Sequence, residues 1–182
     1  MSEAAVIRDA TADDADAIGR VHAAAWQWAY RGLMPDELLD SIDPARRALG
    51  WTSILADHAA PDPIVAELDG SIVGFAHASA SRDEDADDEV GEVTCLYLDE
   101  ACIGTGIGWA LWQAACVQLQ VAGHRTVTLW VLDTNIRGRG FYERVGMRPD
   151  GATKREERRG MSLDEVRYRG ELDQVAGGNG VS

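Results

Sequence analysis

A chain of 182 residues with 46% hydrophobic and 26% charged residues has the size and make-up of one ordinary globular domain. Its formal net charge of −14 argues against a sequence-independent nucleic-acid binder, which needs a basic face. No apolar run is long enough to cross a bilayer, and the start "MSEAAVIRDATADD" lacks the basic-then-apolar pattern of a secretory leader. A cytoplasmic protein with no membrane and no nucleic-acid partner is expected.

The first strand is expected in "AAVIRDAT". Thr11 then stands as cap for a helix through "ADDADAIGRVHAAAWQWAY", with acidic residues in its first turn and Ile18, Val21, Ala25 and Trp28 at helical spacing. "PDELLDSI" and "PARRALGWTSILAD" read as two further helices, each opening on a proline. "PIVAELDGSIVGFAHASA" reads as a hairpin turning at Asp69-Gly70. After the acidic run "SRDEDADDEV" come a strand "GEVTCLYLDE", a glycine-rich turn, a helix "WALWQAACVQLQVAG" and a strand "RTVTLWVLD". "TNIRGRGFYERVGM" reads as helix and "DEVRYRGEL" as the last strand. The order gives a mixed α/β sheet, antiparallel in its first half and closed by a parallel right-handed crossover from Glu92 to Leu132. One domain over residues 1–172 is expected, with 173–182 as an unstructured tail.

Cys95, Cys102 and Cys116 have no short paired spacing, and the histidines at 22, 58, 77 and 124 are scattered. Neither a disulfide framework nor a structural metal is expected. Cys95 and Cys116 fit the core, whereas Cys102, beside the glycine turn, could be exposed. The runs "DEDADDE" (83–89) and "KREERR" (154–159) read as solvated loops.

The stretch "ACIGTGIGWALW" concentrates glycines directly before a helix, the pattern of a phosphate-cradling loop. A nucleotide P-loop would need Lys and Ser or Thr after the glycines, and Trp109-Ala110 follow Gly108 instead. A dinucleotide fold has Asp133 after the next strand in its favour, but the spacing is G-x-G-x-G and the layout is not that of two mononucleotide halves. A pyrophosphate held by backbone N–H groups and the helix dipole fits better, because the loop carries no Lys or Arg. A plain packing turn is the remaining alternative.

Four features together resemble the GCN5-related N-acetyltransferases: the strand "EVTCLYL" running into "IGTGIG", Asn135 after the next strand, "GFYERVGM" (140–147), and the N-terminal "VHAAAWQWAYRGLMP". The resemblance covers most of the chain and implies a mixed, centrally splayed sheet flanked by helices on both faces. It implies acetyl-CoA as co-substrate, with no metal, and an amine of a small molecule or peptide as acceptor, an organic cation being one such amine. It assigns coenzyme A binding to Leu96, Tyr97 and Leu98, to Ile103, Gly104, Thr105, Gly106, Ile107, Gly108 and Trp109, and to Asn135. It places Tyr142 as the acid that protonates the departing thiolate and Glu92 as the base that deprotonates the amine. Packing alternatives stand beside each: Glu92 as a solvated strand-end carboxylate, Tyr142 as a packed aromatic, Asn135 as a helix cap.

Trp26 and Tyr30 are candidate acceptor contacts, while Trp28 shares the apolar face of its helix. The chain departs from the family pattern in having Ile103 where Gln or Arg is usual, and Asp99-Glu100 where a proline commonly follows the strand. Ile103 motivates a second reading, a non-catalytic acyl-CoA-binding module. A homodimer through the last strands is a further expectation.

Overall fold

A computed structural model of the chain describes residues 4–57, 61–158 and 161–177. Among the described residues seven strands are ordered β1-β2-β3-β4-β5-β7-β6, and the chain groups into two compact units, Met1–Ala78 with Cys95–Ala115 and Ser79–Thr94 with Cys116–Ser182.

The first unit opens with β1 (Val6–Asp9), a single 3-10 turn (Ala12–Asp14), then α1 (Ala15–Ala29), α2 (Asp36–Asp40) and α3 (Pro44–Ala56). The helix start expected at Thr11 is thus a tighter turn first. The Asp14 carboxylate accepts from the Thr11 N–H (2.7 Å) and hydroxyl (3.1 Å). Asp43 caps α3 by accepting from the Ala45 N–H at 2.9 Å, with Pro44 in the first turn, where a missing N–H costs nothing. β2 (Ile64–Leu68) and β3 (Ser71–Ala80) form the expected hairpin. Asp69 (φ 50°) and Gly70 (φ 74°) both take the left-handed conformation that a two-residue turn between twisted strands requires. Ile18 and Val21 of α1 pack with Trp51 and Leu55 of α3 and with Val65, Ile72 and Phe75 of the hairpin.

Arg8 ties β1 to this unit. Its guanidinium grips Asp14 through both oxygens (2.8 and 3.0 Å) and reaches Glu67 at 2.9 Å. The Arg8 hydrogen bonds hold the Asp14 carboxyl down at about 2. A depressed carboxylate stabilises the fold above its unfolded pKa and loses that contribution as pH falls through the folded value. Asp14→Asn should therefore cost roughly 2 kcal/mol at pH 7. Denaturant titrations should show that deficit shrinking between about pH 4 and pH 2; a deficit constant across this window would refute the assignment.

The second unit carries the amino-terminal part of β4 (Val90–Leu98), which pairs in parallel with β5 (Thr126–Leu132) from Val90↔Thr126 to Glu92↔Thr128. Between them in sequence runs α4 (Ile107–Val121). An added Cβ at Gly91 would meet Leu119 at 2.6 Å, so the helix lies directly on the strand there. α5 (Ile136–Arg144) follows, then β6 (Arg148–Arg158), β7 (Met161–Glu171) and α6 (Leu172–Val175).

Two expectations change here. "KREERR" is not a loop: 154–158 belong to β6, pairing Lys154↔Glu165 and Arg155↔Asp164, and Arg159 lies outside the described residues. The chain does not end as a loose tail at 173, because Leu172 and Val175 are buried in α6; residues 178–182 lie outside the described residues. β7 is paired on both sides, by β5 and β6, and β6 stands at the edge of the strand order. Among the described residues, no helix is long and apolar enough to cross a membrane.

Candidate active site

The glycine-rich turn belongs to the first unit. A 3-10 turn (Glu100–Cys102) leads into it, and Gly104 (φ 80°) and Gly106 (φ 89°) adopt the left-handed region that side chains rarely tolerate. A Cβ built on either would meet nothing within 4 Å, so conformation rather than crowding demands glycine, and the surrounding space is open. The Thr105 hydroxyl donates to the Cys102 carbonyl at 2.7 Å and pins the turn. The first helical bond runs from the Ala110 N–H to the Gly106 carbonyl at 3.0 Å, which leaves Ile107, Gly108 and Trp109 as amides without a helical acceptor. Such amides at the positive end of a 15-residue helix attract an anion.

Ile103 is 39% exposed and contributes no charge. Asp99, a neighbouring negative charge, is paired with Arg20 at 3.4 Å. Cys102, expected to be accessible, is buried, and burial first and Asp99 second push its thiol up. A buried, protonated thiol is a poor nucleophile.

Leu96, Tyr97 and Leu98 are half-buried at the end of β4. The Tyr97 hydroxyl accepts from the Trp26 indole N–H at 2.9 Å, and its ring stacks on His22 at 5.0 Å. Trp26 meets Tyr30 edge-on at 4.7 Å, and the Arg47 guanidinium sits over the Trp26 ring at 5.4 Å. Tyr30 is buried. So the structure brings Trp26, Tyr30 and Tyr97 together, but one Trp26 face already carries a cation of the chain itself, which works against a simple cationic-acceptor cage.

Glu92, Asn135 and Tyr142 belong to the second unit. Glu92 is 8% exposed, not the solvated carboxylate that was the alternative. Burial pushes its carboxyl up, the Asp83 charge adds to this, and Arg82 and Lys154 oppose it. The Asn135 Oδ1 accepts from the Gly138 N–H at 3.0 Å, so it is a genuine cap of α5. Tyr142 is half-buried on α5, 5.4 Å from the Phe141 ring and 6.3 Å from that of Tyr168. The Tyr168 hydroxyl donates to Glu143 at 2.7 Å and accepts from Arg139 at 3.2 Å, which fixes the helix that carries Tyr142.

The acidic run 83–89 is not simply solvated. Asp83 and Asp85 are bound by Arg167, whose side chain is 8% exposed. Distant partners, not local sequence, order this run, and no signal within "DEDADDE" announces it.

Among the described residues, no cluster of three His, Cys, Asp or Glu side chains could hold a metal ion. The dinucleotide reading does not fit: the sheet is mixed in the order above, and Asp133 is paired with Arg139.

Within the mixed strand order, a glycine turn opens the helix that follows β4. The Acetyltransferase (GNAT) family profile matches residues 22–147. An uncharacterized N-acetyltransferase of Archaeoglobus fulgidus is 30% identical over 143 residues, covering 78% of this chain and 92% of that protein. The PaiA N-acetyltransferase of Thermoplasma acidophilum, solved in complex with coenzyme A, superposes with a TM-score of 0.71 at 19% identity, covering 93% of this chain and 99% of that one. YncA of Salmonella typhimurium, a putative acetyltransferase solved with acetyl-CoA, gives 0.69 at 20% identity, covering 94% and 95%. The chain belongs to the acetyltransferase (GNAT) family.

Proposed function

We propose that the chain transfers the acetyl group of acetyl-CoA to an amine of a small molecule or peptide, by direct attack in a ternary complex. The open, left-handed Gly104–Gly106 turn at the head of α4 carries this reading, because it offers backbone amides to a diphosphate without a side chain in the way. The solved coenzyme A complexes of fold relatives support the same ligand. Leu96, Tyr97 and Leu98 supply backbone partners for the pantetheine amides, and Asn135 adds a polar contact while capping its helix.

An ammonium group must lose its proton before it can attack, and Lys-like amines titrate near ~10.4. Glu92 takes that proton, directly or through water. The amine nitrogen then bonds to the thioester carbon, the carbon–sulfur bond breaks, and Tyr142 delivers a proton to the departing sulfur. Trp26 and Tyr30 line the acceptor side. Direct transfer is supported by the buried, protonated state of Cys102 and of Cys116, whose thiol burial pushes up to about 12.

Release of free thiol from acetyl-CoA across a panel of amines tests this. The expected result is amine-dependent release, with kcat in Tyr142→Phe lowered about tenfold or more and KM for acetyl-CoA little changed. Coenzyme A binding without release for any amine would favour the non-catalytic reading that Ile103 motivates.

A further inference from the structure

Trp26 is held by two polar groups of its own unit. Its indole N–H donates to the Tyr97 hydroxyl at 2.9 Å, and the Arg47 guanidinium lies over its ring at 5.4 Å. The packing of α1 on α3 accounts for the second contact. A Cβ on Gly19 would fall 2.6 Å from the Ala48 nitrogen and 2.8 Å from the Pro44 carbonyl oxygen, so the two backbones touch there. Gly19 and Trp26 stand about two turns apart on one face of α1, so this close approach brings Arg47, the residue before Ala48, onto the indole. The Tyr97 ring is fixed in turn. It stacks on His22 at 5.0 Å, and His22 Nδ1 accepts from the Trp51 indole N–H at 3.1 Å.

We propose that Arg47 and the Tyr97 hydroxyl form an oxyanion subsite on the acceptor side, so that the acceptor is an amine bearing a carboxylate or phosphonate rather than a polyamine. This deepens the reading of Trp26 and Tyr30 as acceptor contacts and rests on it. The contact with the indole face uses the charge of the guanidinium and consumes none of its N–H fork, which matches a carboxylate or phosphonate two bonds at a time. The Tyr97 hydroxyl takes the indole proton on a lone pair and has its own O–H as donor. Donors beside a fixed positive charge favour an oxyanion and repel a second ammonium. Arg31, which follows Tyr30, does not share this role, because Asp36 at 3.0 Å and Asp40 at 2.9 Å neutralise it.

The test is thiol release from acetyl-CoA by the full chain, with α-amino acids, β-alanine and γ-aminobutyrate as acceptors. Each is measured beside its carboxamide, which has nearly the same shape without the charge, and the best beside its phosphonate analogue. Spermidine stands for the polyamines. The quantity read is the ratio of kcat/KM for the acid to that for its amide. Comparing this ratio between variants cancels the different basicities of the two amines. Arg47→Gln should lower it about tenfold or more, chiefly through KM for the acid, with KM for acetyl-CoA unchanged. Arg47→Lys keeps the charge and the aliphatic stem over the ring but loses the fork, and should fall between Arg47→Gln and the wild type. Tyr97→Phe should raise KM for the acid in the same direction. Arg46→Gln removes an equal charge from an exposed neighbour on α3 and should leave the ratio in place.

Preference for the phosphonate over the carboxylate would identify which oxyanion the subsite takes. A ratio that Arg47→Gln lowers no more than Arg46→Gln does overturns the inference, as does a wild-type enzyme that uses spermidine or the amides in preference to the acids; either result leaves acetyl transfer to an amine intact. Absence of thiol release with every amine overturns both.

Discussion

Glu92→Gln should lower kcat about a hundredfold or more, with KM for acetyl-CoA nearly unchanged. The side chain is buried and its carboxyl is pushed up by that burial, so in the ionised form it is a stronger base than a solvent-exposed Glu. Gln preserves the shape of the side chain, so the loss reports proton transfer rather than packing. The deficit should narrow as pH approaches the amine's own pKa of ~10.4, where the acceptor needs no base. Stability should move the other way. A carboxylate raised in the folded state costs stability as pH rises from the unfolded to the folded pKa, and that cost persists at neutral pH. The Gln variant should therefore melt no lower than the wild type at pH 7. Steady-state thiol release from pH 6 to 10, with melting curves alongside, makes the comparison; wild-type turnover throughout would remove Glu92 from the chemistry.

Gly106→Val should weaken coenzyme A binding tenfold or more. At φ 89° a β-branched residue is strained, and the turn relaxes by rotating the peptide units whose amides face the open side. Because nothing lies within 4 Å of the added Cβ, the penalty stays local and the rest of the unit keeps its packing. Gly32→Val is the control: it has φ 80°, equally open surroundings, and no part in the loop. Calorimetric titration with coenzyme A should show the loss in Gly106→Val and none in Gly32→Val. Equal affinity in both would mean the turn serves packing rather than a ligand.

The parts of the fold that local chemistry controls were readable from the sequence. Asp69-Gly70 between two strand-like runs leaves little choice but a tight hairpin, and Pro44 behind Asp43 announces a helix start. The glycine turn was readable for the same reason, since alternating glycines before a helix have few uses. β6 was not. Its charged run at the sheet boundary carries no alternation of apolar residues, and edge strands commonly keep such charges. The setting of Glu92 was also hidden. Its place at a strand start was visible but its burial was not, and the acidic run 83–85 reads as solvated in isolation because its partners Arg167 and Trp130 lie tens of residues away. Burial of Cys102 was missed because its glycine neighbours suggested an open surface.

That burial bears on how the protein can be handled. Cys102 and Cys116 are shut away and protonated at neutral pH, which leaves half-buried Cys95 as the most accessible sulfur of the three. A disulfide reagent that reports liberated coenzyme A therefore has at most one slow competitor per chain. Turnover can be followed continuously without the catalyst being consumed by its own indicator, and storage without reductant should not cross-link the molecule through its interior thiols.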